Sequence, residues 1–239
     1  MIYDKDIELI PNDGDKQLNV YFGKEVIYEQ NNGELPFGYT HLNYLESTVS
    51  QILDTEFISA SGVHDFECEF AITENTQGKS LFGARTNTGV SPSPGRIGNL
   101  YFNLQNRPSV YIGNTSNIFI PPVENALIVN EKYKLRLEVN QPNATVRRVL
   151  NDGVLDNSGS FTGTTKILHS LHLFGAISEG NLQEFIAAKI YSFKIWESGV
   201  LVRDFVPALD ETNKPCMYCK ITKKPYYNAR TTGIDFLYG

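Results

Sequence analysis

Ala188-Lys189-Ile190-Tyr191-Ser192-Phe193-Lys194-Ile195-Trp196-Glu197-Ser198-Gly199-Val200-Leu201-Val202-Arg203-Asp204-Phe205-Val206-Pro207 reads as two strands folded about a turn. Alternate side chains of a strand leave on opposite faces. Tyr191, Phe193 and Ile195 therefore share one face and are expected to enter a core, while Ser192 and Lys194 meet water. Glu197-Ser198-Gly199 supplies the turn, with glycine free to take a positive φ. The second strand is expected to stop at Pro207, which has no N–H for a ladder.

The same period recurs along the chain. Tyr133-Lys134-Leu135-Arg136-Leu137-Glu138-Val139 is apolar at every odd position and charged at every even one. His64 to Ile72 alternates likewise, with Phe66, Cys68 and Phe70 on one face and Asp65, Glu67 and Glu69 on the other. Further strands are expected at Tyr39–Thr48, Gln51–Thr55, Leu81–Ala84, Leu100–Leu104, Ser109–Gly113 and 166–174. Thr145–Leu150 and Val154-Leu155 flank Asn151-Asp152-Gly153, a hairpin signal. No stretch reads as a helix of ten residues; Ser178 to Phe185 is at most a helical turn. Strands at regular spacing without crossover helices point to an all-β, antiparallel two-sheet sandwich.

Residues 1–36 read as a separate arm. Leu18–Phe22 and Glu25–Tyr28 flank Gly23-Lys24 as a small β-hairpin, and Asn31 to Pro36 reads as a linker to a body spanning 37–239. A lone hairpin is marginal in water, so this arm is expected to pack on something else.

The chain has 239 residues, 41% of them hydrophobic, enough for one large core. Its formal net charge of −6 argues against nucleic acid as the main partner, because that binding depends on cations meeting phosphates. The one basic cluster, Lys220 to Lys224, reads as a solvated strand end. No run reaches the roughly 20 apolar residues of a membrane-spanning helix, and the first residues lack a signal-peptide pattern. Synthesis in a cytoplasm is expected. Three cysteines do not suggest a disulfide scaffold.

Several stretches then become recognisable together. Tyr44-Leu45-Glu46-Ser47-Thr48, Gln51-Ile52-Leu53-Asp54-Thr55, Leu81-Phe82-Gly83-Ala84-Arg85, Lys189 to Ile195, Leu201 to Ala208, Met217-Tyr218 and Tyr226-Tyr227-Asn228-Ala229 occur in a collinear order. From about residue 39 to 239 the chain resembles the concanavalin A-like lectin/glucanase domains, also called laminin G-like, common in tailed bacteriophages and gut bacteria. The resemblance implies a jelly-roll sandwich. The leading hairpin resembles tyrosine-glycine hairpins that precede such domains in phage structural proteins, which implies a virion component. Cys219 and Arg230 stand where that family usually has aspartate and glycine.

Asp65-Phe66-Glu67-Cys68-Glu69 is the sharpest enzymatic lead, since retaining glycosidases place two carboxyls about 5–5.5 Å apart. The glucanases of this fold, however, set an aspartate between two glutamates, and the single Trp196 leaves little for sugar stacking. A solvated strand face is the expectation, with no catalytic residue. Cys216-Met217-Tyr218-Cys219 is half a zinc signature without a second half. Asp152, Asp156 and Asn157 lie in an expected loop, but their spacing is not that of a calcium site. No metal or cofactor is expected.

For ligand binding the expected residues are Arg85, Asn87, Arg107 and Tyr111, on loop 85–98 and the turn at Arg107. They combine hydrogen-bond donors with one ring, as a shallow sugar site does. The resulting expectation is a non-enzymatic protein of the virion surface, in a fibre, baseplate or capsid decoration. Its partners would be other virion proteins, held through the hairpin, and host-surface polysaccharide, met in many copies. The alternatives are a decoration protein that binds no glycan, a glycoside hydrolase of the same fold and a bacterial surface lectin.

Overall fold

The computed structural model describes residues 7–11, 18–22, 25–29, 35–86, 95–96, 99–113, 126–140, 143–150, 153–161, 165, 169–231 and 233–239. No helix occurs among them; the regular elements are all strands. Two large sheets face each other, and their inner faces share one core. The larger sheet runs in the order Gly153–Ser160, Asn143–Leu150, Tyr133–Asn140, Val63–Ile72, Ala187–Glu197, Val200–Leu209, Pro215–Cys219, Lys224–Tyr226. The smaller runs Arg107–Tyr111, Asn99–Leu104, Lys79–Thr86, His172–Leu173, Leu53–Asp54. The expected all-β two-sheet sandwich is the architecture. Its pairings are antiparallel except where Ala176–Ser178 runs parallel to Lys79–Thr86.

Alternation explains the core. Tyr133, Leu135, Leu137 and Val139 are buried, and so are Phe66, Cys68 and Phe70 on the neighbouring strand. Across the sandwich they meet Phe82, Leu100, Phe102 and Val110. A chain of rings links the layers. Phe66 lies 5.5 Å from Phe82 of the opposite sheet, Phe82 lies 5.2 Å from Phe193, and Phe205 lies 5.1 Å from Tyr226.

The hairpin expected at residues 188–207 forms, with Glu197 opposite Val200. Ser198 and Gly199 both take positive φ, 50° and 80°, which suits the right-handed twist of a two-residue hairpin loop. Two details differ from the alternation. Ile190 pairs with Phe70 and Ser192 with Glu69, so Tyr191 is the extra residue of a β-bulge. The bulge turns Tyr191 out of the core to lie edge-on to Tyr44, with the Lys132 ammonium 4.4 Å from its ring centre. Pro207 does not end its strand, which continues to Leu209. The Pro207 carbonyl accepts from Leu42 N at 3.0 Å. Nitrogen and carbonyl of one extended residue point to the same edge, so the missing N–H faces Leu42 and leaves the pairing with Met217 intact.

Other expectations are also revised. Ser178 to Phe185 forms no helical turn. Ala176–Ser178 and Asn181–Gln183 make a hairpin about Glu179 and Gly180, both at positive φ. Tyr39–Thr48 splits into Thr40–His41 and Leu45–Thr48, and only Leu53–Asp54 of Gln51–Thr55 is a strand. Leu81–Ala84 lies inside the longer Lys79–Thr86. Of the strand expected at 166–174 only His172–Leu173 forms, and 166–168 lie outside the described residues. The hairpin flanking Asn151-Asp152 forms between Asn143–Leu150 and Gly153–Ser160. Leu18–Phe22 pairs with Glu25–Glu29 as expected, and Ile7–Pro11 adds a third strand.

Asp210 fixes the turn between Val200–Leu209 and Pro215–Cys219. Its Oδ1 accepts from Thr212 N at 2.8 Å, Thr212 Oγ1 at 2.7 Å and Lys214 N at 2.9 Å, and its Oδ2 accepts from the Tyr227 hydroxyl at 2.6 Å. Burial alone would raise this carboxyl, but the Tyr227 and Thr212 donors outweigh it and bring it down to about 2. A depressed folded-state value means stability that is present above the ordinary 3.8 and is lost as pH falls toward 2. In urea titrations at pH 5 and pH 2.5 the wild type should lose more stability between the two than Asp210→Asn. Equal losses would show that the donors do not favour the carboxylate.

Candidate functional site

The expected ligand residues lead to the outer face of the smaller sheet. Along Asn99–Leu104, Leu100 and Phe102 point into the core, which turns Asn99 and Tyr101 outward. On the neighbouring strand Val110 points inward, while Arg107, Ser109 and Tyr111 share the outward face. The register places Tyr111 opposite Asn99 and Ser109 opposite Tyr101. Tyr101 and Tyr111 stack with centroids 4.9 Å apart and planes 27° apart.

Beside this pair lies a charged cluster. Arg85 Nη2 meets Glu184 Oε1 at 2.7 Å, with side-chain exposures of only 18% and 12%. Glu184 Oε2 accepts from Ser80 Oγ at 2.5 Å and from Asn99 Nδ2 at 3.4 Å. Ser80 N also donates to the Glu184 carbonyl at 2.9 Å, so backbone and side chain hold Glu184 together. Asn99 fits because position 83 is glycine: a Cβ there would come within 2.5 Å of Asn99 Cγ. Burial, then Glu184, pushes the Tyr101 phenol up against the opposing pull of Arg85, so it remains a protonated donor.

This floor is not fully satisfied. Asn99 Oδ1, Ser109 Oγ and Arg85 Nε are buried and have no hydrogen-bond partner among the described residues. Each such atom costs about 1–3 kcal/mol. Groups of this kind in a native protein call for an explanation, and a functional role is one.

Of the four expected residues, Arg85, Arg107 and Tyr111 thus share one face, and Asn87 lies outside the described residues. Arg107, expected in a turn, begins a strand that runs Arg107–Tyr111 and not Ser109–Gly113, so it stands at the far end from Tyr111; Arg85, expected on a loop, lies within Lys79–Thr86. The sequence reading missed Ser80, Asn99, Tyr101 and Glu184. The alternation of Asn99 and Tyr101 with Leu100 and Phe102 was an available signal. Nothing local pointed to Glu184, which is distant in sequence from every partner.

The carboxylate lead resolves into an ion-pair lattice on the outer face of the larger sheet. Asp65 meets Arg136 at 3.0 Å, Glu67 meets Lys134 at 2.9 Å, and Glu69 meets Lys132 at 2.7 Å. Burial would raise Glu69, but Lys132 and Lys134 hold it below the usual carboxylate range. A general acid working near neutral pH needs the opposite shift. Arg136 also lies over Trp196, 4.6 Å from its ring centre.

Ser59, His64 and Glu197 approach one another without forming a nucleophile triad. Ser59 Oγ lies 3.1 Å from His64 Nδ1, but Glu197 binds the serine instead of orienting the histidine. Glu197 Oε1 also accepts from Ala60 N at 2.6 Å and Ser61 N at 3.0 Å, so it pins the 59–61 loop.

Cys216 and Cys219 leave opposite faces of one strand. Cys219 belongs to the main core and Cys216 to a small cluster with Ala208 and Tyr218, so the two cannot share a zinc ion. Burial, then Asp210, pushes the Cys216 thiol up to about 12. Asp156 and Asn157, expected in a loop, belong to the Gly153–Ser160 strand, and Asp152 lies outside the described residues. Among the described residues no cluster of three or more His, Cys, Asp or Glu could hold a metal ion.

No family model and no curated protein matches this sequence. Among solved structures, a Trypanosoma rangeli sialidase in complex with 2,3-difluorosialic acid (covalent intermediate) is similar at 15% identity and a TM-score of 0.39. The match covers 56% of this chain and 20% of the sialidase, so this chain spans a small part of that protein's length. A likeness this slight says nothing about activity.

Proposed function

We propose that this chain is a non-enzymatic glycan-recognition module, a concanavalin A-like jelly roll displayed on a phage particle through its N-terminal strands. The observation that carries the binding reading is the stacked Tyr101–Tyr111 pair beside the Arg85–Glu184–Asn99 cluster. The ring pair offers an apolar surface for a sugar face, and the mostly buried Arg85–Glu184–Asn99 cluster braces the strands that carry it. The paired carboxylates of the larger sheet support the non-enzymatic reading, since each has a lysine or arginine partner. The virion assignment rests on the resemblance of the leading hairpin and body to phage structural proteins.

Single contacts of this kind are weak. Display in many copies can raise avidity by roughly 10²–10⁴ without any new contact. A glycan array of bacterial surface polysaccharides, probed with the multimerised protein, should show binding that Tyr111→Ala weakens by roughly tenfold, the scale of one lost aromatic contact. An array with no bound polysaccharide would leave a purely structural decoration protein as the reading. Hydrolysis of a β-glucan panel, abolished by Glu67→Gln, would replace it with a glycosidase.

A further inference from the structure

A cleft lies on the larger sheet, apart from the Tyr101–Tyr111 face. It has a volume of about 350 Å³ and is lined by Leu35, Tyr39, His41 and Lys220. That is at the lower end of the roughly 300–1,000 Å³ of small-molecule sites. Its walls are held by the backbone. Tyr39 N donates to the Pro36 carbonyl at 3.1 Å, closing a turn in which Gly38 takes φ 85°. An L side chain at position 38 would be strained, and its Cβ would sit 3.3 Å from Glu211 Cβ. His41 pairs with Ala208 across the sheet, and Lys220 N donates to the Asp204 carbonyl at 2.7 Å. Tyr39 also packs edge-on against Tyr218 at 5.4 Å.

The chemistry of the lining is one-sided. Lys220 has no carboxylate within ion-pair distance among the described residues, and the His41 side chain has no hydrogen-bond partner among them. Lys224, by contrast, is paired with Glu56, and Lys214 lies over the Tyr227 ring. The nearby Asp210 carboxylate already accepts four hydrogen bonds and has little capacity left for Lys220 or His41. Burial, then Cys216, Asp210 and Glu211, pushes the Tyr39 phenol up, so it remains a donor. An ammonium without an ion-pair partner among the described residues, an imidazole and a phenol therefore converge on a cleft whose remaining wall is Leu35, with Asp210 and Glu211 near its Tyr39 side.

We propose that this cleft is a separate ligand site for an anionic monosaccharide, with the charged group on Lys220 and His41 and the ring against Tyr39 and Leu35. The anionic group is a carboxylate, as in a hexuronate, or a phosphate ester; both present oxygens to the same donors. The proposal is independent of the Tyr101–Tyr111 face.

The test is calorimetric titration of the full chain with glucuronate, glucose 6-phosphate and glucose. It is run on wild type, Tyr111→Ala, Lys220→Ala and Lys220→Gln. At least one anionic sugar should bind wild type and Tyr111→Ala equally, and Lys220→Ala and Lys220→Gln roughly tenfold more weakly, the loss expected for one charge-assisted contact. Whichever anion binds more tightly identifies the group as carboxylate or phosphate. Glucose binding as tightly as the anions, no binding by either anion, or binding unchanged in both Lys220 variants would overturn the proposal. Loss in Tyr111→Ala with none in the Lys220 variants would overturn it too, and would assign the sugar to the other face.

Discussion

Phe66→Ala should destabilise the protein by about 3–5 kcal/mol, the range for removing a large aromatic side chain from a core. Phe66 is completely buried on the central strand of the larger sheet, between Leu137 and Ile195. Its ring touches four others: Phe57 at 6.2 Å, His64 at 4.9 Å, Phe82 at 5.5 Å and Phe193 at 6.2 Å. Phe82 belongs to the opposite sheet, so the substitution opens a cavity where the two layers meet. Rigid strands on both sides limit how far that cavity can collapse. Urea denaturation should show a lower midpoint with an unchanged slope. Phe37→Ala is the control, because the same group is removed from a ring that is 91% exposed; its effect should stay within about 0.5 kcal/mol. Equal midpoints for the two variants would mean that the sheets do not close on Phe66.

The contrast between Phe66 and Tyr191 shows which parts of the fold could be read from sequence. Phe66 lies in an unbroken alternation whose apolar set is wholly buried, so period and burial agree. Tyr191 obeys the same period in sequence, but one extra residue at the bulge reverses its face. A bulge leaves no mark in the apolar pattern, because a tyrosine is acceptable either in a core or beneath a lysine. Pro207 misleads for a related reason. Proline removes one donor, and whether that matters depends on which edge the donor would have faced. Here that edge meets Leu42, and the strand continues. The turns were more legible. Ser198-Gly199 adopts the positive φ values that its residues suggest, whereas Glu179-Gly180 does the same in a stretch that reads equally well as a turn of helix.

The candidate site was legible in part, along the same lines. Arg85, Arg107 and Tyr111 were legible as donors and a ring beside short apolar strands, although Arg85 and Arg107 belong to the strands Lys79–Thr86 and Arg107–Tyr111 and not to a loop and a turn. Their common face follows from strand order, which brings Lys79–Thr86, Asn99–Leu104 and Arg107–Tyr111 side by side. Glu184 enters from a different part of the chain, at φ 59° just after the Asn181–Gln183 strand. The two polar systems of the sandwich also differ in kind. The lattice of Asp65, Glu67 and Glu69 consists of ladder neighbours, partly exposed, and pairs of that sort contribute little individually. The Arg85–Glu184 pair is long-range and mostly buried, so its contribution depends on complete partnering.

Glu184→Ala is therefore expected to cost about 2–4 kcal/mol, despite removing a side chain that is not part of the hydrophobic core. The carboxylate is the ion-pair partner of Arg85, whose Nε already lacks a partner. It is also the acceptor for Ser80 Oγ, in a serine that is wholly buried. Asn99, likewise wholly buried, would lose its Nδ2 contact while its Oδ1 remains unmet. Three groups are orphaned by one deletion, and water reaches them poorly. Glu184→Gln separates the contributions: it keeps an acceptor for Ser80 and Asn99 but leaves Arg85 without a counter-charge. Chemical denaturation should rank wild type above Glu184→Gln and Glu184→Ala lowest. Arg85→Ala combined with Glu184→Ala should recover part of the loss, because the double variant buries no unpaired charge. If the double variant is as unstable as the sum of the singles, the pair is not coupled, and the cluster is not the shared support of the Tyr101–Tyr111 face.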